Sequence, residues 1–170
     1  MSVGTIVTIV LLMSVLVLGL FMVQNIFKSA KGAVDLTDQQ LQAEIGKLFG
    51  SDEARVVIFP SSEKIDIKAG KNDAIGIGIR NVASNVGEST SFSYAINFIE
   101  NSCGLTEVKS MELISLGKTD QLQIAIGQIE SGRVDFIIPE GTPNCILRYR
   151  VNVERNGESY KTKLFTVEVK

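Results

Sequence analysis

The sequence contains no histidine and no tryptophan, and only two of its 170 residues are cysteine. Histidine is the commonest metal ligand and general base, so its absence argues against hydrolytic or zinc-dependent chemistry. Cys103 and Cys145 lack CxxC spacing, which argues against a zinc or thioredoxin-like site. The serine hydroxyls have no histidine to activate them as nucleophiles. We therefore predict no catalytic residue, no cofactor and no metal site, and we do not expect an enzyme.

Charge is also sparse and unevenly placed. The formal net charge is −2, and lysine and arginine are scattered along the chain, so the sequence has no electrostatic footprint for nucleic acid. No charged residue precedes Lys28. Residues 1–27 are almost wholly apolar, whereas residues 28–170 have the charge density of a soluble protein.

The apolar opening segment allows three interpretations. A cleavable secretory signal needs a basic start and an apolar core of about 7–15 residues, but here the basic start is absent and the run from Val3 to Val23 is too long. A transmembrane anchor fits by length, since about 20 apolar residues cross a bilayer. However, Lys28 and Lys31 would then leave the following domain in the cytoplasm, where its two cysteines would stay reduced.

The third interpretation is the start of a mature filament subunit. The sequence has V-G-T-I-V near its N-terminus and continues as an aliphatic run interrupted by Ser14 and Gly19. This pattern resembles the mature N-terminus of archaeal type IV pilins and archaellins, which follows a glycine cut by a prepilin peptidase. Thr5 stands where bacterial pilins carry glutamate, a residue that archaeal filament proteins commonly lack. The resemblance implies copies of the chain as partners, a prepilin peptidase, a membrane assembly platform, and membrane insertion before assembly.

A helix that is apolar on all sides must be buried in lipid or against other helices. The predicted filament core or membrane anchor consists of Val3, Ile6, Val7, Ile9, Val10, Leu11, Leu12, Met13, Val15, Leu16, Val17, Leu18, Leu20, Phe21 and Met22. Beyond it, DLTDQQLQAEIGKLFG predicts an amphipathic helix that either continues the first or starts afresh with a cap at Asp35 or Thr37. The residues predicted to pack this helix against the head are Val34, Leu41, Ile45 and Leu48.

After Gly50 the apolar period changes to two, and short strand candidates follow one another between turn residues. We predict an α+β fold in which a long N-terminal α-helix (residues 1–49) precedes an antiparallel immunoglobulin-like β-sandwich head (residues 50–170). The stretch IDIKAGKNDAIGIGIRNVASN also resembles immunoglobulin-like adhesion and surface modules. Within it, Gly76 and Gly78 are expected to let another backbone or a neighbouring subunit approach closely.

The last two strands are predicted to form a hairpin that turns at Asn156-Gly157, the strongest short hairpin signal. Across this hairpin we expect one set of apolar residues to face another: Ile146, Tyr149, Val151 and Val153 against Leu164, Val167 and Val169.

The two cysteines fall at strand ends. Cys103 lies just beyond SFSYAINFIE and Cys145 begins CILRYRVNVE, which would be strands C and F of a seven-strand immunoglobulin-like order. The end of one strand then lies beside the start of the other, close enough for a disulfide. The alternative is two unrelated buried thiols. A disulfide would place the head outside the cytoplasm.

Together these patterns predict a structural subunit of an extracellular type IV pilus-like filament with surface-exposed heads that can mediate adhesion. The expected location is an extracellular filament or the cell surface, with membrane insertion before assembly. The alternative is a monomeric, single-pass, membrane-anchored surface binding protein similar to archaellum stator components. A membrane-tethered enzyme is the least favoured interpretation.

Overall fold

The structure, a computed structural model, describes residues 3–28, 37–50, 54–82 and 90–170. Within the first range, side chains are described at residues 4, 5 and 7–20. Five residues with predicted packing roles therefore have side chains outside the described part of the chain: Val3, Ile6, Phe21, Met22 and Val34.

The described residues form three helices and nine strands. The helices are α1 (Val3–Lys28), α2 (Asp38–Leu48) and α3 (Glu107–Glu112). The strands are β1 (Val56–Phe59), β2 (Lys64–Ile67), β3 (Asn72–Arg80), β4 (Thr90–Asn101), β5 (Ile114–Leu116), β6 (Thr119–Ile124), β7 (Ile129–Ile137), β8 (Cys145–Arg155) and β9 (Glu158–Val169).

The chain divides into two compact units, Met1–Lys31 and Gly32–Lys170. The second helix, α2, therefore belongs with the strands, whereas the sequence placed the boundary after residue 49.

Our expectation of a single long N-terminal helix is wrong. Helix α1 has 26 residues and α2 has 11. The reason is a capping box at Thr37, whose hydroxyl accepts from the Gln40 amide while the Gln40 side chain accepts from the Thr37 amide. This exchange satisfies two backbone donors that a helix start otherwise leaves unpaired, so Thr37 starts a separate helix.

The strands form two packed sheets in an immunoglobulin-like β-sandwich, as predicted. One sheet has the order β1-β3-β7-β5 and the other has the order β2-β9-β8-β4-β6. The side chains between the sheets form one large core that includes Phe92, Phe136 and Tyr149. The sandwich is not purely antiparallel, because β2 pairs parallel to β9. Strands β1 and β2 belong to different sheets.

The β8–β9 hairpin turns at Asn156-Gly157, as predicted, with both residues in the left-handed region (φ 52° and 83°). The predicted facing residues are correct only in part. Leu147 pairs with Val167 inside the core, but Ile146 and Leu164 are 47% and 54% exposed on the outer face. Side chains alternate between the two faces of a strand. Ile146 therefore faces outward, because its neighbour Leu147 faces the core.

Helix α2 forms a third layer on the outer face of the β1-β3-β7 part of its sheet. Leu41, Ile45 and Phe49 are buried there and form a second, smaller core, and Leu48 packs at its margin. The two glycines of β3 make this contact possible. A Cβ at Gly76 would lie 2.7 Å from Leu41 Cδ1, and one at Gly78 would lie 2.7 Å from Phe49 Cε2 and overlap Ile45.

Arg80 holds the C-terminal end of α2 against the same sheet. Its Nη2 donates to the Phe49 carbonyl oxygen at 3.2 Å, and its guanidinium lies 4.9 Å from the centre of the Phe49 ring. A cation over an aromatic face adds to the hydrogen bond. The glycines of β3 therefore admit a helix of the same chain, which is attached at its end by Arg80.

Two Gly→Ala substitutions test this arrangement. One is in β3, facing the buried side of α2, and the other is on the exposed side of α2. We expect Gly78→Ala to lower the free energy of unfolding by about 1–3 kcal/mol, because its new methyl group overpacks the contact with Ile45 and Phe49. The matched control is Gly46→Ala, where a Cβ meets nothing within 4 Å and should stabilise the helix by up to about 1 kcal/mol. Thermal unfolding and trypsin cleavage at Lys47 measure both effects, and equal behaviour of the two variants would contradict the contact.

Candidate functional site

Helix α1 exposes the large apolar side chains of the opening segment. Its large apolar side chains between Val7 and Leu20 are 50–70% exposed on every side of the helix. A helix that is apolar all round has no polar face to turn toward water. Among the described residues of α1, the side chains between Val7 and Leu20 therefore form an apolar surface around the whole helix.

The polar side chains within this surface bond to their own helix. The Thr8 hydroxyl donates to the carbonyl oxygens of Gly4 (2.9 Å) and Thr5 (3.0 Å), and the Ser14 hydroxyl donates to the Val10 carbonyl oxygen (2.8 Å). Burying a hydroxyl without a hydrogen bond costs free energy. Because these two hydroxyls are already satisfied, they do not oppose burial of α1.

One side of α1 carries a shallow apolar depression of about 560 Å³. Its lining is Ile9, Val10, Met13, Ser14, Val17 and Leu18. Ile9, Met13 and Val17 form one i, i+4, i+8 row along the helix, and Val10, Ser14 and Leu18 form the row beside it. Such a depression between ridges of larger side chains is where the ridge of a second helix packs.

The predicted transmembrane helix is not supported by the structure. Among the residues that the structure describes, no helix has the length and hydropathy of a membrane span.

The two cysteines form the predicted disulfide, with a Cα–Cα distance of 5.3 Å. The bond joins the loop after β4 to the first residue of β8, its antiparallel neighbour. Asn101 shapes this loop, because its side-chain oxygen accepts from the amides of Cys103 (3.0 Å) and Leu105 (3.1 Å) while its Nδ2 donates to the Leu105 carbonyl oxygen (2.7 Å). We did not predict this role of Asn101, although asparagine side chains commonly bond to the backbone two residues further on and so form a turn.

The described residues do not bring metal-ligating side chains together. They contain no cluster of three or more histidine, cysteine, aspartate or glutamate side chains that could hold a metal ion. The carboxylates near Lys64 and Lys170 form surface ion pairs along β2 and β9. A hydrogen bond from Lys170 lowers the pKa of Asp66, and a hydrogen bond to Glu168 raises the pKa of Lys64, so these groups stay charged.

Two buried tyrosines titrate abnormally. Burial raises the pKa of Tyr94 to about 12, with a smaller contribution from the charge of Asp120, and burial also raises the pKa of Tyr149. The Tyr149 hydroxyl donates to the Ser110 carbonyl oxygen at 2.7 Å. Both residues belong to the sandwich core, so their shifted pKa values follow from packing.

We expect this burial to make the head less stable at high pH. A tyrosine that is harder to ionise when folded contributes full stability below its unfolded pKa of about 10, and this contribution is lost as the pH rises toward 12. The 295-nm absorbance of the native chain should therefore rise at higher pH than that of the urea-unfolded chain. Tyr94→Phe should reduce the difference, and coincident native and unfolded titration curves would contradict the prediction.

No protein-family model and no curated protein matches this chain. Solved structures that match include PapD-like domain 7 of human CEP192, with 12% identity over 68% of this chain and 84% of that one, at a TM-score of 0.43. A CARDB domain from Pyrococcus furiosus matches with 14% identity over 68% of this chain and 86% of that one, also at 0.43. The periplasmic chaperone SfaE matches with 11% identity over 68% of this chain and 56% of that one, again at 0.43.

Proposed function

We propose that the chain is a structural subunit of an extracellular type IV pilus-like filament, assembled through α1. The observation that carries this proposal is the surface of α1, which is apolar on every side from Val7 to Leu20 and whose Thr8 and Ser14 hydroxyls are satisfied within the helix. Packing against copies of the same helix would bury this surface. A fully buried aliphatic side chain contributes about 1.5–3 kcal/mol of stability. Each subunit would bury several such side chains of α1.

A filament requires that this packing be open. A contact between two different faces of identical subunits is heterologous, and it gives a helical filament when the rotation does not close. The sandwich heads would then surround the helical core and face the medium, where they can mediate adhesion. The resemblance of the N-terminus to archaeal pilins also implies a prepilin peptidase and a membrane assembly platform as partners. It further implies that the chain is inserted in the membrane before assembly.

The disulfide supports a location outside the cytoplasm. Disulfides persist in oxidising compartments and are rare where thiol-reducing systems operate. Cys103 and Cys145 are bonded to each other, so the described residues leave no free thiol. A head of this kind suits an extracellular filament or the cell surface.

Electron microscopy of material sheared from the surface of native cells tests the proposal. Mass spectrometry of the same material identifies the subunit and reads its N-terminal residue. We expect filaments whose subunit contains both α1 and the head. Recovery of the chain only from the membrane fraction, and never from fibres, would instead support a monomeric, membrane-anchored surface binding protein.

A further inference from the structure

Two arginines meet at one tyrosine ring at an end of the β-sandwich. The ring belongs to Tyr160, near the start of β9, and its centre lies 5.5 Å from the guanidinium carbon of Arg55 and 5.8 Å from that of Arg155. Arg55 directly precedes β1 and Arg155 ends β8, so the two cations come from opposite sheets. A guanidinium within about 6 Å of a ring centre is attracted by the ring. Tyr160 therefore holds two positive charges near each other.

The tyrosine itself is fixed by three contacts. Its hydroxyl donates to the Arg80 carbonyl oxygen at 2.6 Å and accepts from the Val82 amide at 3.4 Å. Its ring meets the buried Phe92 ring at an angle of 81°, with the ring centres 5.0 Å apart. Groups that are already ordered lose little conformational freedom when a ligand binds. The ring is thus a pre-organised support for the two guanidiniums.

The positive charge of this arginine pair is not balanced within the described part of the chain. Neither Arg55 nor Arg155 forms an ion pair or a side-chain hydrogen bond there. Glu158 pairs with Arg155 across the β8–β9 turn in the strand register, but its carboxylate is not within 4.0 Å of the guanidinium. Lys161, on the other side of Tyr160 along β9, carries the opposite charge to Glu158. Like charges repel, so an added anion would stabilise the pair.

The chemistry of the guanidinium group defines the class of ligand. Its planar fork of N–H groups is always charged and matches the oxygens of carboxylate and phosphate. Two guanidiniums carry two positive charges, and a phosphate monoester carries about −1.5 to −2 charges at pH 7. A carboxylate would balance only one of the two cations. The arginine pair therefore favours a phosphate monoester over a carboxylate.

We propose that Arg55 and Arg155 form a phosphate-binding site on the head. The inference deepens the proposed adhesive role of the heads, because it names the chemical group that they recognise, and its biological meaning rests on that role. Phosphate binding itself does not require a filament. A phosphorylated sugar and a phospholipid headgroup both carry this group, and the experiment distinguishes these two sources.

The test is a titration of the purified full-length chain with inorganic phosphate. The chain is kept in lauryldimethylamine oxide, which contains no phosphate, and sodium chloride holds the ionic strength constant, because salt screens exposed charges. The NMR signals of the arginine Nε–H groups measure binding. We expect the signals of Arg55 and Arg155 to shift with a dissociation constant in the millimolar range or below, and to shift at least about threefold more weakly with acetate.

Two phosphate esters identify the source of the group. Glucose 6-phosphate carries it on a sugar, and dihexanoyl phosphatidic acid carries it on a short-chain lipid. Either ester should shift the same two arginine signals, and the ester that binds more tightly shows whether a sugar or a lipid accompanies the phosphate.

Three variants locate the site. Arg55→Gln and Arg155→Gln each remove one cation and should each weaken phosphate binding at least about tenfold. The matched control is Arg150→Gln, which removes the same charge from an exposed arginine of β8 and should weaken binding less than about twofold. If a glutamine variant fails to fold, Arg55→Lys keeps the charge, loses the planar fork and should also weaken binding.

Three results would overturn the proposal. These are no shift of either arginine signal up to about 50 mM phosphate, an equal loss of binding in Arg150→Gln, and tighter binding of acetate than of phosphate. Asp52 and Glu53 precede Arg55 in the sequence and lie outside the described residues. If they already neutralised the arginine pair, the first of these results would follow.

The outcome is independent of filament assembly. Because the titrations use dispersed protein, their failure would leave the filament proposal intact. The absence of fibres, in turn, would not alter a measured phosphate affinity.

Discussion

Replacing Ile9 with aspartate is expected to abolish filament assembly while leaving the head folded. Ile9 lies on the apolar surface of α1 and borders its depression, with half of its side chain exposed. Contact with a second helix would bury an unpaired carboxylate there, since no basic residue occurs in the sequence before Lys28. The effective cost of burying an unpaired ion is several kcal/mol, and every subunit contact in the filament would incur it.

Two controls separate a charge in the core from other effects. Ile9→Leu keeps the apolar surface and should assemble normally. Gln42→Glu adds the same charge to the exposed face of α2 and should also assemble. The measurement is the fibre yield in sheared material, by electron microscopy and by the pelletable fraction of the chain. Normal fibres from Ile9→Asp would mean that α1 is not the polymer core.

The sequence predicts the sandwich well because its strongest signals are local. Asn156-Gly157 determines a hairpin almost by itself, since two consecutive residues in the left-handed region are rare outside such turns. The disulfide prediction needed more than a local signal, because only the assumed immunoglobulin-like strand order makes the strands of Cys103 and Cys145 antiparallel neighbours.

Other features depend on contacts distant in sequence and could be predicted only in outline. The glycines of β3 indicate a close approach but not the group that approaches, and only the structure identifies it as Ile45 and Phe49. The stretch QLQIAIGQI reads as one strand, yet β6 ends at Ile124 and a turn with Gly127 at φ 78° separates it from β7. Alternation of apolar residues continues through such a turn, so periodicity does not reveal it.

The candidate site is predictable in its position but not in its partner. Composition alone predicts that residues 1–27 must be buried in lipid or against other helices. However, a helix with apolar side chains in every direction has no preferred face, so the pattern contains no information about register or crossing angle. Only the depression beside Met13 and Ser14 distinguishes one side of the described surface from another.

The second large effect concerns the disulfide between Cys103 and Cys145. The bond joins residues 42 positions apart. In the chain-entropy account, a loop of this length restricts the unfolded chain enough to stabilise the folded state by about 4 kcal/mol. We expect the double variant Cys103→Ser/Cys145→Ser to lose most of this amount, with a fall in the unfolding midpoint of about 10 °C or more.

The matched control distinguishes loss of the bond from loss of the side chains. Reducing the wild-type chain with dithiothreitol opens the bond but keeps both cysteines, so it should lower the midpoint by nearly as much as the double variant. The same reductant should not affect the double variant. The decrease in unfolding midpoint that the reduced wild-type chain and the double variant share measures the loop constraint. Any further decrease in the double variant measures the loss of the cysteine side chains, of which Cys145 is buried. A wild-type chain whose two thiols titrate freely after reduction, but whose midpoint is unchanged, would contradict the predicted role of the disulfide in holding β4 to β8.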